Sequence, residues 1–307
     1  MVILDILEQV ILPVIMLVGL GIILHRTFNF EMRTFSKLLF YYYIPALTFI
    51  KIYEAKTSAT LLLLVFAFLI MQFIILYCLS RVIAGIRRLS RPMTASFTNS
   101  IVLSNNGNIG IPVNDLVFHH NPLAMSVQMV VVLFEIFVTF TFGILNTSAS
   151  RTGWKETAAN FLKTPVFLCF LAGLSFNLFH WQLPAVLWTP VNTIANGMLS
   201  VALVSIGAQI ARINLKQHTA TVLTSSLLRL IIAPVISFFL ISQLHLQGVI
   251  AQALWIASAM PTSRNSAALA LEYDNEPEFA AQVVLVTTLL SSLTLTLAVY
   301  SASQLFP

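Results

Sequence analysis

Two long stretches of this chain, Ala59 to Ser80 and Phe279 to Pro307, contain no Asp, Glu, Lys, Arg or His. A helix rises about 1.5 Å per residue, so about 20 mostly apolar residues cross the hydrocarbon core of a bilayer. Both stretches reach that length. In lipid, every backbone N–H and C=O must be paired within a helix or a closed barrel. A membrane barrel would alternate polar and apolar residues in segments of about ten, and that alternation is absent. The rest of the chain is equally poor in charge. Of its 307 residues 58% are hydrophobic and 9% charged, against roughly 25% charged in soluble domains. The expected fold class is therefore an all-α membrane protein with no soluble domain left over.

Ten spans can be drawn, near 3–24, 34–53, 59–84, 92–119, 122–146, 160–180, 184–210, 217–243, 247–271 and 279–304. The loops after odd-numbered spans hold Arg26, Arg33, Lys37, Arg81, Arg87, Arg88, Arg91, Arg151, Lys155, Lys163, Arg212 and Lys216, and the loops on the other side hold Lys51 and Lys56. Cytoplasmic loops are the Lys/Arg-rich ones, so both termini are expected outside. The acidic loop Glu272, Asp274, Glu276 and Glu278 falls on the cytoplasmic side, where carboxylates weigh little in that rule. Asp5 and Glu8 occupy the place of a basic signal-peptide region, which argues against a cleaved leader. The net charge of +5 sits mostly in these loops and implies no nucleic acid. Cys78 and Cys169 lie in apolar segments and read as small buried hydrophobes, without a disulfide framework or a metal site.

The halves 1–150 and 151–307 resemble each other weakly. Pro13 and Gly21 recur as Pro165 and Gly173 at the same spacing, and spans 4 and 9 each carry a polar, proline-containing interruption. Five spans is an odd number, so two like halves must insert with opposite orientation, the inverted repeat of many secondary transporters.

Span 4 contains Ser104-Asn105-Asn106-Gly107-Asn108-Ile109-Gly110-Ile111-Pro112-Val113-Asn114. Asn and Gly are poor helix formers and Pro removes a backbone donor, so this segment is expected to unwind near mid-membrane and to be buried or line a wet cavity. The same residues would serve as helix-packing glue in a bland alternative. Span 9 contains Met260-Pro261-Thr262-Ser263-Arg264-Asn265. Pro261 is expected to break it, with Thr262 and Ser263 capping the half-helix that follows. A half-helix N-terminus attracts anions through free N–H groups and its dipole, and Arg264 adds a full charge whose burial something must offset.

Two further charges lie at similar depth, Glu135 in span 5 and Arg229 in span 8. With Arg264 they sum to +1, which a bound anion would complete. Glu135 reads as a protonatable coupling group, as a static partner of Arg229, or as a carboxyl that is simply protonated and hydrogen-bonded. Asp115 is a further charge that could balance the sum. His119 and His120, next to it in sequence, point to different faces and read as interface residues rather than metal ligands. The run Tyr41-Tyr42-Tyr43 cannot face one way and is read chiefly as packing.

The span-4 motif resembles that of bacterial members of the auxin efflux carrier family, as does the span-9 region from Met260 to Asn265 running on to Glu272-Tyr273 and Glu276-Pro277-Glu278-Phe279-Ala280. The resemblance extends over the whole chain in length and span layout. It implies two inverted five-helix repeats, a scaffold and a transport domain, and spans 4 and 9 crossing near Pro112 and Pro261. It implies organic-anion substrates, auxin in the plant branch and malonate or malate in some bacterial proteins. It also implies that Asn105, Asn106 and Asn108 hold a substrate carboxylate. The long cytoplasmic loop of many plant members is lacking here, which weakens any case for auxin.

The expectation is a carrier of the bacterial inner membrane that moves a small carboxylate by alternating access. Asn105, Asn106, Asn108, Thr262, Ser263, Arg264 and Asn265 would contact it, and Gly107, Gly110, Pro112 and Pro261 would form the break. No cofactor is expected. Coupling to H+ or Na+ stays open, lipid surrounds the protein, and relatives admit a homodimer. The rivals are a sodium- or proton-coupled cation antiporter using Glu135 or Asp115, and a receptor that binds without transport. No HExxH, GxSxG or intramembrane aspartate pair points to an enzyme.

Overall fold

The computed structural model describes residues 12–54, 59–148, 162–163, 165–211 and 219–307. Asp5, Glu8, Lys56, Arg151, Lys155, Arg212 and Lys216 lie outside the described residues. Those described form helices throughout, with one isolated two-residue bridge and no strand.

In chain order the helices are α1 (Leu12–Phe28), α2 (Met32–Leu38), α3 (Ile44–Tyr53), α4 (Ala59–Ile86), α5 (Arg91–Val102), α6 (Ile111–Val117), α7 (Pro122–Val138), α8 (Ile144–Ser148), α9 (Pro165–Leu178), α10 (Ala185–Ile210), α11 (Thr219–Leu227), α12 (Ala233–Gln243), α13 (Gly248–Ser258), α14 (Arg264–Glu272) and α15 (Pro277–Leu305). Five helical stretches among the described residues are long and apolar enough to cross a membrane: Leu63–Ile86, Pro122–Thr147, Ala185–Ser205, Thr219–Gln243 and Pro277–Leu305. The protein is a multi-pass membrane protein.

Four π turns interrupt or begin helical runs, at Leu39–Tyr43, Asn106–Gly110, Thr139–Gly143 and Leu228–Ile232. Three of them are followed at the second residue by proline, namely Pro45, Pro112 and Pro234. Proline lacks an N–H, and its ring collides with the carbonyl four residues back. In these turns the preceding residue donates five residues back instead, as Ile44 to Leu39, Ile111 to Asn106 and Ala233 to Leu228. The wider turn moves the colliding carbonyl aside, and the helix continues. Pro112 therefore does not break its helix; the chain is already non-helical at 103–105 and helical again before Pro112 arrives.

α7 stands at the centre of the molecule. One side joins an apolar cluster with α3 and α10 through Met125, Met129, Val132, Leu133, Ile136, Leu47, Ile50 and Met198. The other side joins α4 and α13 through Val127, Val130, Val131, Phe68, Leu69 and Leu254. Only a helix apolar all round can be covered on both sides, and the one charged residue in α7, Glu135, is thereby carried into the interior.

The repeated Pro–Gly pairs mark two close helix approaches. A Cβ on Gly21 of α1 would lie 2.2 Å from the Val204 carbonyl oxygen of α10, and one on Gly173 of α9 would lie 2.9 Å from that of Phe49 in α3. Neither position admits a side chain. Cys78 corrects an expectation: it is exposed on α4, and Cys169 is half-buried. Apolar sequence does not imply protein burial where the outer face of a helix meets lipid. Of the tyrosine run, Tyr43 packs on the core while Tyr41 and Tyr42 are exposed.

Candidate functional site

Between α5 and the π turn at Asn106, residues 103–105 are non-helical; between α13 and α14, residues 259–263 are non-helical. The two stretches run antiparallel and pair. Asn105 N–H donates to the Pro261 carbonyl at 2.8 Å, Ser263 N–H donates to the Leu103 carbonyl at 2.8 Å, and Ser104 faces Thr262. A buried backbone group without a partner is costly, and each stretch supplies what the other lacks. The Thr262 hydroxyl donates to the Ser100 carbonyl at 2.6 Å, and Thr262 N–H donates to the Thr287 hydroxyl of α15 at 3.2 Å. Thr262 is completely buried and therefore part of the joint, not a helix cap. The capping role falls to Ser263, whose hydroxyl accepts from Asn265 N–H at 3.3 Å.

Two helices end at this joint and two helical runs begin there. Arg229 serves the endings. It donates from Nη1 to the Ile101 carbonyl at 3.0 Å, from Nε to Met260 at 2.9 Å, and from Nη2 to Ser258. These are carbonyls at or just past the C-terminal ends of α5 and α13, where the last acceptors lack helical partners and the dipole is negative. Glu135 serves the beginnings. Its Oε2 accepts from Asn106 N–H at 2.8 Å, and its Oε1 accepts from the Ser263 hydroxyl at 3.2 Å. The two charges thus hydrogen-bond to helix ends; they attract each other across the joint, but no ion pair within 4.0 Å joins them. Arg264, the first residue of α14, is 8% exposed and within electrostatic reach of Glu135.

The asparagine side chains are turned to one another and to the fold. Asn106 Nδ2 donates to the Ser104 hydroxyl at 2.8 Å and to the Ala257 carbonyl at 3.3 Å, and its Oδ1 accepts from Gln128 at 3.2 Å. Asn108 Nδ2 donates to Asn105 Oδ1 at 3.2 Å, which leaves Asn108 Oδ1 buried without a hydrogen-bond partner. A Cβ on Gly110 would lie 2.5 Å from Gln128 Nε2 and 2.7 Å from Asn106 Oδ1 and would push both amides aside; Gly107 has nothing closer than 4.0 Å. Asp115 is away from the joint and bonds His120 at 2.8 Å.

Sequence reasoning missed Gln128, Ser100 and Thr287. Gln128 precedes Glu135 by seven residues, two helical turns, so the pair shares one face of α7; that spacing was the available signal. A small cavity of about 40 Å³ adjoins the joint, lined by Gln72, Phe73, Asn106, Phe134, Glu135 and Arg229 among others. It has room for roughly one or two waters, not for a carboxylate solute.

Residues 154–299 match the family model described as "Membrane transport protein". Over 301 residues, covering 94% of this chain and 96% of the relative, the chain is 25% identical to an "Uncharacterized transporter" of Methanothermobacter thermautotrophicus. The joint of 259–263, Arg229 and α14 all fall inside the matched segment. The second half of this multi-pass helical chain thus resembles a membrane transport protein family, and nearly the whole chain aligns with a transporter, which supports a transporter rather than an enzyme.

Proposed function

We propose that the protein is a secondary carrier of a small organic anion, a mono- or dicarboxylate, working by alternating access at the joint of residues 103–105 and 259–263. One observation carries this reading. The starts of two helical runs converge on a carboxylate from opposite sides, with a guanidinium at the head of one of them. Backbone N–H, hydroxyl and guanidinium groups are the donors that recognise carboxylates, and cation carriers would place carboxylates in the majority here.

The rest of the molecule supports ten spans in two inverted repeats, 1–150 and 151–307. Span 1 packs tightly on span 7 and span 6 on span 2, each through the recurring glycine. An inverted repeat that maps span 1 onto 6 also maps span 7 onto 2, so the two contacts are one contact seen twice. The joint obeys the same relation, with the Asn105 N–H bond to the Pro261 carbonyl repeated as the Ser263 N–H bond to the Leu103 carbonyl. Spans 1, 2, 6 and 7 would form the scaffold, and the two interrupted spans with their neighbours the moving part. We place the carrier in a bacterial inner membrane with both termini outside; a homodimer is compatible with this placement.

In this state the joint is closed, and the substrate would enter by widening it. The test is flux. Purified protein in liposomes should exchange labelled malonate or malate, and Arg264→Ala should lower that exchange at least tenfold without changing the amount of folded protein. Undiminished exchange by Arg264→Ala would remove Arg264 from the site.

A further inference from the structure

Glu135 already does what a substrate carboxylate would do. Its two oxygens take the Asn106 N–H and the Ser263 hydroxyl, one donor from each helical run, in a place 9% exposed. A second carboxylate cannot take those donors while Glu135 holds them, and two adjacent buried carboxylates repel. The structure also provides somewhere for Glu135 to go. The cavity of about 40 Å³ that its side chain lines is walled by Phe68, Leu69, Phe73, Val131 and Phe134 together with Gln72, Asn106 and Arg229. The Arg229 nitrogens there are already bonded to three backbone carbonyls, and the aromatic and aliphatic part of the wall favours a neutral carboxyl group over an ionised one.

We infer that Glu135 is an internal stand-in for the substrate: an incoming carboxylate takes the Asn106 and Ser263 donors as Glu135 takes up one proton from water and turns into the adjoining cavity. The exchange conserves charge. Before it, Arg229 and Arg264 face one carboxylate belonging to the protein; after it, they face one belonging to the solute. No covalent bond forms or breaks apart from the new carboxyl O–H. The charged groups that act on Glu135 are Arg229 and Arg264. α4 contributes uncharged Gln72 to its surroundings and α13 contributes no ionisable group, while Asp115 of α6 is held by His120. Movement of the solute is then proton-linked, one proton per solute molecule.

This inference rests on the carboxylate-carrier reading, and the two fail differently. Malonate is the probe, because it is fully ionised from about pH 7 to pH 9 and contributes no proton change of its own. In weakly buffered detergent solution near pH 9, wild-type protein should take up one proton for each malonate bound. Its malonate affinity should fall as pH rises, approaching tenfold per unit once Glu135 is ionised in the ligand-free protein. Glu135→Gln should bind malonate with an affinity that pH does not change and with no proton uptake. Malonate binding by wild type without proton uptake overturns the inference and leaves the carrier reading standing. Absence of binding by wild type of any of several mono- and dicarboxylates overturns both. The wild-type proton count needs no variant, so a Glu135→Gln protein that fails to fold does not shield the inference.

Discussion

Arg229 spends its whole guanidinium on three backbone carbonyls, those of Ile101, Ser258 and Met260. Its planar fork reaches acceptors on two different helices at once, which a point-like ammonium cannot match. Arg229→Met should therefore orphan buried acceptors at about 1–3 kcal/mol each. The unfolding midpoint in detergent should fall steeply, and Arg229→Lys should recover part of the loss; a Met variant that melts with wild type would show that the carbonyls find other partners. The place of Arg229 and Glu135 well inside apolar helical runs was legible in the sequence, because residue counting gives position along a run. Their partners were not. Charge arithmetic pairs the two side chains with each other, whereas the structure bonds each charge to helix ends of opposite sign, and those ends exist only once two distant segments have met. The asparagines show the same limit: Asn105, Asn106 and Asn108 were legible as buried polar groups, but their side chains here satisfy the joint itself, and it is the Asn106 backbone that meets a carboxylate.

At the scale of elements, the interruptions follow from glycine, asparagine and proline packed into apolar segments. Their position does not follow from proline alone. Pro261 lies in the non-helical stretch, but Pro112 lies eight residues beyond Ser104 in a helix that a π turn has prepared for it. Sequence patterns show a missing donor, not the carbonyl shift that absorbs it, which is why the break was expected too far along. The two glycines of the first interruption divide by the same geometry. Gly110→Ala would drive a methyl against Gln128 and Asn106 and should cost about 1–3 kcal/mol as an overpacked site. Gly107→Ala meets open space and should melt near wild type. Thermal unfolding of the two variants side by side checks the assignment; equal midpoints would contradict it.

Across the whole molecule, the fold class was the most legible level, because charge-free runs of membrane length admit few structures. The central helix was legible as apolar, but its burial on both sides was not, since lipid and protein ask for the same residues. What the sequence hid was the joint, formed by residues some 160 positions apart along the chain, Ser104 and Thr262. That joint is where we propose that the protein meets a carboxylate. The most direct measurement is the unfolding midpoint of purified protein against a panel of mono- and dicarboxylates, with sodium and choline salts compared. A ligand that binds only the folded state stabilises it by mass action, and a hundredfold excess over Kd should raise the midpoint by roughly 5 °C. The account predicts such a rise with at least one carboxylate, in either salt, and its loss in Arg264→Ala. A rise caused by sodium alone, with every carboxylate silent, would contradict it.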